Sequence, residues 1–228
     1  LPVRFLDGGE SCLVVELGDA IDIGVNRQVR ALDLALEQVR VKGVLEAVPT
    51  YRSLAIYYDP LVISRDVLKQ KVGLLYGSLG SQAEARPKVV EIPTVYGGDY
   101  GPDLEFVARY NGLSREAVVH LHSKPIYHVY MLGFTAGFPY LGDLPEQLTV
   151  PRLSTPRLKV PAGSVGIGGR QTGIYSIESP GGWRIIGRTS FRLFDPFSHT
   201  PTRLVPGDTV RFVPIAPHEY AGGQLGRL

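Results

Sequence analysis

The chain has 228 residues, 44% of them hydrophobic and 20% charged, enough for one large domain or two small ones with cores of their own. A net charge of +2 and a pI of about 8.6 exclude the strongly basic balance of a nucleic-acid binder. No apolar run approaches the roughly 20 residues of a membrane span, and the lone Cys12 excludes an internal disulfide. Val3–Asp7 and Ser11–Leu17 have β-strand composition and are joined by Gly8-Gly9, which predicts a hairpin. Val25, Val29, Leu32, Leu36 and Val39 recur at spacings of three and four, predicting a helix from Asp22 to Val41 that Gly43 ends. Val44–Val48 and Ser53–Asp59 predict a second strand pair around Pro49. Ser64 caps a second helix with Val67, Leu68, Val72, Leu75 and Leu79 facing inward. Two helices on one face of a small antiparallel sheet satisfy this order, an α+β, ferredoxin-like sandwich.

The polar, proline-ended segment 78–88 predicts a domain boundary, placed between residues 82 and 83. A strand follows over 88–96, then two short helices, 102–110 stopped by Asn111-Gly112 and 115–122 capped by Ser114. From Pro125 onward, short β-type runs alternate with Gly/Pro turns, which predicts a closed or nearly closed β-barrel with the two helices outside it. The tail 221–228 is expected to fray. The N-terminal stretch LPVRFLDGG has no basic region, apolar core or cleavage site, so no export signal is expected and a cytoplasmic location fits.

Chemistry is concentrated between His128 and Ser190, where glycine, proline, aromatic and arginine residues crowd together. Gly163, Gly166, Gly168 and Gly169 suggest a phosphate cradle, but Arg170-Gln171 stands where a P-loop needs Lys-Ser/Thr, and the following residues are β-patterned. Ala162–Gly166 nearly matches a nucleophile elbow around Ser164, yet no helix follows; a turn hydroxyl is the plainer reading. His120 and His122 fall on different faces of a helix, and with no HExxH or CxxC no metal site is predicted. His128 alternates with Tyr127 and Val129 on a strand and is a candidate for the barrel mouth, against a structural histidine. Arg152, Arg157, Lys159, Arg170, Arg184 and Arg188 read either as a solvated face or as groups gripping an anion, and Arg157 and Arg188 sit in rigid surroundings. Phe138, Tyr140, Gln171 and Trp183 would together make an apolar pocket with few polar groups, suited to a small molecule or to a protein hot spot; Tyr175 is a secondary candidate beside His128 and Ser164. Cys12 reads as a small core hydrophobe.

Three stretches, GFTAGFPYLGDL (133–144), the run from Thr155 to Ser190 and LVPGDTVRF (204–212), resemble the family that includes KipI, the 5-oxoprolinase B-type chain and allophanate hydrolase subunit 1. The likeness covers essentially the whole chain, including GPDLEFVARYNGLSREAVVHLHS (101–123). It implies a ferredoxin-like domain over 1–82 and a cyclophilin-like barrel over 83–228. Ala136 replaces the proline usual in the family's GFxPGF loop, which implies a slightly freer loop; Asp143 replaces a frequent glycine. The resemblance implies a non-autonomous subunit of an ATP-dependent 5-oxoprolinase, inactive alone, with an A-type subunit and a subunit-2 or C-type subunit as partners. ATP would be bound mainly by those partners, because no ATP motif is visible here. The alternatives it leaves are a KipI-like inhibitor docking on a sporulation histidine kinase and a urea carboxylase or allophanate-pathway subunit. A homo-oligomer is a further expectation; nucleic acid and membrane are not expected partners. No amidase Ser-Ser-Lys arrangement is present.

Overall fold

The computed structural model describes residues 3–79 and 89–221. The chain divides into two compact units, Leu1–Arg86 and Pro87–Leu228. The expected boundary at 82/83 and the tail beyond Ala221 lie outside the described residues.

The first unit runs β1 (Arg4–Asp7), β2 (Cys12–Glu16), α1 (Ile23–Val39), β3 (Val44–Pro49), β4 (Ser53–Tyr58), α2 (Arg65–Ser78). Its four strands form an antiparallel sheet in the order β1-β2-β4-β3. Asp22 caps α1 by accepting from the Val25 amide at 2.9 Å, which satisfies one of the free donors of the first turn. The predicted helix is two residues too long: it ends at Arg40, three residues before Gly43, where a left-handed turn (φ 49) returns the Arg40 N–H to the Leu36 carbonyl. Val39 is therefore exposed rather than inward. In α2, capped by Ser64 as expected, Leu68 and Val72 are buried but Val67 is not. Val29, Leu32, Leu36, Leu68 and Val72 close over Leu13, Val15, Leu54, Ile56 and Tyr58 of the sheet, and this core is complete within the unit.

The second unit runs β5 (Val89–Tyr96), α3 (Leu104–Tyr110), α4 (Arg115–Ser123), β6 (Tyr127–Leu132), β7 (Pro139–Leu141), β8 (Arg157–Val160), β9 (Ser164–Gly168), β10 (Gln171–Ile174), β11 (Ser179–Gly181), β12 (Arg184–Arg188), β13 (Thr209–Pro214) and a short α5 (Pro217–Ala221). Seven strands close a barrel in the order β10-β7-β6-β13-β5-β12-β9, while β8 and β11 form a separate two-stranded ribbon. β13 and β5 pair in parallel; the other barrel pairings are antiparallel. Alternation on β9 sends Val165 and Ile167 into the barrel core and Gly166 and Gly168 to the other face. The two helices are not merely outside: Leu104, Val107 and Val118 join the barrel core, and α4 sends His122 in among Tyr127 and Phe212.

Candidate functional site

Three glycines on neighbouring strands prepare the site. Gly166 pairs with Gly173, and Gly173 with Tyr140, so β9, β10 and β7 present one nearly bare strip on the outer wall of the barrel. A Cβ on Gly168 would lie 2.6 to 2.7 Å from Trp183 ring atoms, and one on Gly173 would lie 2.9 Å from the Phe138 ring. Rings can lie on the backbone here only because side chains are missing. Phe138 is the hub: its centroid is 5.0 Å from Tyr140, 5.2 Å from Tyr175 and 5.5 Å from Trp183, all edge-to-face, the arrangement that the ring quadrupoles favour. Val160 of the ribbon and Ile185 of β12 complete the cluster.

The loop 133–138 is held in place. Ser176 Oγ donates to the Ala136 carbonyl at 2.6 Å, and the Gly133 amide donates to the Phe138 carbonyl. These bonds tie the loop to the barrel at Ala136, the position where the family's proline is replaced. It carries the exposed Phe134 against Phe138 and Tyr175.

Cations surround the phenol end of Tyr175. The Arg152 guanidinium lies 5.6 Å from the centroid of Trp183. Arg157 Nη2 donates to Asp103 Oδ1 at 2.9 Å, and the other Asp103 oxygen accepts the Ile185 amide at 2.7 Å. Arg157 Nη1 is enclosed and has no hydrogen-bond partner, and Ser179 Oγ on the ribbon is in the same condition. Both arginines act electrostatically on Tyr175, whose oxygen accepts the Trp183 amide. Burial pushes the Tyr175 and Tyr140 phenols up, with Arg152 pulling partly the other way. At neutral pH both phenols therefore stay protonated and neither is a base; Tyr140 is partly exposed, while Tyr175 is buried.

The predicted site residues thus divide. Phe138, Tyr140, Tyr175 and Trp183 come together, and Gln171 stands opposite Gly168 on the same face of the strip. Phe138, Tyr175 and Trp183 are packed on one another, so they form a wall rather than the lining of an open pocket. Arg157 is tied to Asp103 beside Tyr175. Arg188 lies at the far end of β9, opposite Ser164, donating to the Ala162 carbonyl, and so stands apart from the rings. Ser164 is a buried strand residue whose carbonyl accepts the Tyr175 amide, with no elbow around it. His128 is buried on the outer wall against Tyr130, not at the barrel mouth. Arg184 stacks on Phe106 and Lys159 pairs with Glu178, both structural uses. Asp103 and the place of Arg152 are not legible in the sequence: Asp103 reads as the first acid of a helix, and its partner lies 54 positions away.

The buried His122 is a separate matter. Thr172 Oγ1 donates to the Gly166 carbonyl at 3.0 Å, so it must accept from His122 Nε2 at 2.8 Å; Nδ1 then accepts from the Tyr96 hydroxyl, also at 2.8 Å. This run of bonds ends on a carbonyl and cannot pass a proton on. Burial lowers the imidazole to about 3, and it stays neutral. Among the described residues no group of His, Cys, Asp and Glu is placed to hold a metal ion, and no helix is long and apolar enough to cross a membrane.

Residues 3–204 match the family described as carboxyltransferase domain, subdomain C and D. The B-type chain of the Escherichia coli O157:H7 5-oxoprolinase is 47% identical over 207 residues, covering 90% of this chain and 93% of that protein. Its counterpart in the 5-oxoprolinase of Bacillus subtilis (strain 168) is 40% identical over 222 residues, covering 93% and 92%. A crystal structure of TTHA0988 matches with a TM-score of 0.80 at 42% identity, over 90% of this chain but 39% of that one. The chain therefore spans about two fifths of the length of TTHA0988.

Proposed function

The chain belongs to the carboxyltransferase domain, subdomain C and D family, and from its relatives there we infer that it is the B-type component of an ATP-dependent 5-oxoprolinase. It opens 5-oxoproline to L-glutamate together with A- and C-type subunits, in the cytoplasm, and is inactive alone. The observation that carries this reading is the two-way coverage: relatives bearing that name match along nearly their whole length, not through one shared module.

An unstrained lactam resists water, and ATP supplies the activation of its carbonyl oxygen. The glycine run does not fit a nucleotide: Gly168 is occupied by Trp183, Gly163 faces the Thr189 carbonyl, and β9 passes into β10 with no helix. ATP therefore belongs to the partner subunits. What this chain offers is the aromatic wall of Phe138, Tyr140, Tyr175 and Trp183, with Gln171 and the arginines at its margin, as one side of an enclosed substrate site. With both phenols neutral and His122 locked in the barrel, the general base also comes from a partner.

The same reading names the folds. A strand-strand-helix unit repeated twice, with sheet order β1-β2-β4-β3, is read as a ferredoxin-like sandwich with its last strand moved to the front. The seven-stranded barrel with its end helices is read as cyclophilin-like.

The test is reconstitution with the A- and C-type subunits and measurement of ATP-dependent glutamate formation from 5-oxoproline. Activity is expected only when all three are present. Full activity in the absence of this chain would overturn the assignment.

A further inference from the structure

We propose that Arg157, oriented by Asp103, and Arg152, laid over Trp183, form a carboxylate-binding pair at the phenol end of Tyr175, taking the acid group of a small cyclic amide whose ring rests against the aromatic wall. The choice of a lactam acid as ligand rests on the reading of the chain as part of a 5-oxoprolinase; the cationic pair itself rests on geometry.

Asp103 uses one oxygen on the Ile185 amide and the other on Arg157 Nη2. It is thus fixed by the barrel wall and in turn fixes one edge of the guanidinium. The other edge, Nη1, has no acceptor. An enclosed cationic donor without a partner is unfavourable, and an arriving carboxylate relieves it. Nη1 itself is enclosed, and the 32% of the side chain that stays exposed lies on its other atoms; an anion meets the guanidinium there and reaches Nη1 only as the side chain turns toward it. Gly181 stands directly opposite Arg157 on the ribbon, and a Cβ there would lie 2.2 Å from the Tyr175 hydroxyl oxygen. The ribbon therefore holds Arg157 next to that phenol, while Arg152 lies over the ring of Trp183 in the same aromatic cluster. Asp103 offsets part of one positive charge, and Arg152 makes no ion pair shorter than 4 Å among the described residues. The surplus is positive, and the neighbouring surface is aromatic. A ring with one carboxylate suits both, whereas an uncharged lactam satisfies only the second.

Asp103 is a positioning residue in this scheme, and Arg152 and Arg157 are the binding residues. Trp183 is the only tryptophan of this chain, so the emission of the free chain reports directly on this surface, and in the complex its share is read as the difference from a complex carrying Trp183→Phe. The full chain, alone and in the reconstituted complex, is titrated with 5-oxoproline and with 2-pyrrolidinone, its analogue without the carboxylate. A saturable change in emission is expected, with 5-oxoproline bound about ten- to a hundredfold more tightly, the range expected of hydrogen bonds to a charged group. Arg157→Gln and Arg152→Met should each erode that preference while leaving 2-pyrrolidinone binding unchanged. Asp103→Asn should lower the preference without abolishing it, and Asp103→Glu should restore part of it. A purely structural role for Asp103 would weaken both ligands alike. Circular dichroism identifies any variant that fails to fold, and Arg157→Lys, which keeps charge but loses the fork, then stands in for Arg157→Gln. Equal affinity for the two ligands, no binding of either in chain or complex, or a preference that survives Arg157→Gln, or Arg157→Lys in its place, would overturn the proposal. No ATP-dependent turnover by the wild-type reconstituted complex, with the preference intact, would instead overturn the 5-oxoprolinase assignment alone.

Discussion

His122 is a titratable group held where it cannot accept a proton without breaking its bonds. Its Nδ1 accepts the Tyr96 hydroxyl and its Nε2–H is spent on Thr172, while Tyr127 donates to its backbone carbonyl. In the unfolded chain a histidine titrates near 6.5; here burial holds it at about 3. Between those values the unfolded chain binds one proton more than the folded one. Stability is therefore full above pH 6.5 and is lost as pH falls toward 3. The slope is about 1.4 kcal/mol per pH unit over that window. Urea unfolding followed by Trp183 emission at pH 7, 5.5 and 4.5 measures it, with His122→Gln as the variant that cannot titrate. The wild type should lose its advantage over the variant as the solution is acidified. An advantage that stays constant across the three pH values would show that the imidazole does not set the acid limit.

At the scale of the element, β9 does two jobs with alternate residues: Val165 and Ile167 fill the barrel and Gly166 and Gly168 make room for Trp183. Gly168→Ala puts a methyl group where ring atoms already stand, and the backbone there is locked in pairing with β10. Trp183 must lift away, at a cost of about 1–3 kcal/mol, and its emission should shift to the red. Gly77→Ala in α2, where nothing lies within 4 Å of the new methyl, is the control and should be neutral or slightly stabilising. An unshifted spectrum for Gly168→Ala would mean that the glycine is not holding the ring down. The same scale shows how far the chain can be read from residues alone. The caps at Asp22, Ser64 and Ser114 and the spacing of Val29, Leu32 and Leu36 are local signals, and the helices fall nearly where those signals put them. The end of α1 differs because Arg40 already enters the left-handed region, three residues before Gly43. β11, three residues long, exists only through its ribbon pairing with β8, and β7, equally short, pairs locally with β6 but takes its place in the barrel through β10, some thirty residues on. The crowding of rings and arginines is visible as composition, but which arginine meets which ring is not. Arg188 and Arg157 look equally well placed in sequence, and only the register of β9 and β12 sends Arg188 to the far end.

At the scale of the whole molecule, each unit owns a complete core. One is built from Leu13, Val15, Leu32, Leu54 and Leu68 with their neighbours; the other from Ile92, Val129, Val165, Ile167 and Phe212 with theirs. A molecule with two such cores has no physical reason to unfold in one step. The position of the single tryptophan makes this measurable without labels. Trp183 lies in the second unit, so its emission follows that unit only, whereas far-UV circular dichroism follows both. The helices of the first unit, Ile23–Val39 and Arg65–Ser78, are the longest described, so the dichroism signal is weighted toward that unit. The two probes should therefore trace different urea curves, and Gly168→Ala should move the fluorescence curve and the second unit's share of the dichroism curve while leaving the first unit's share in place. Superimposable curves in the wild type, moved together by Gly168→Ala, would mean that the two cores melt as one cooperative body.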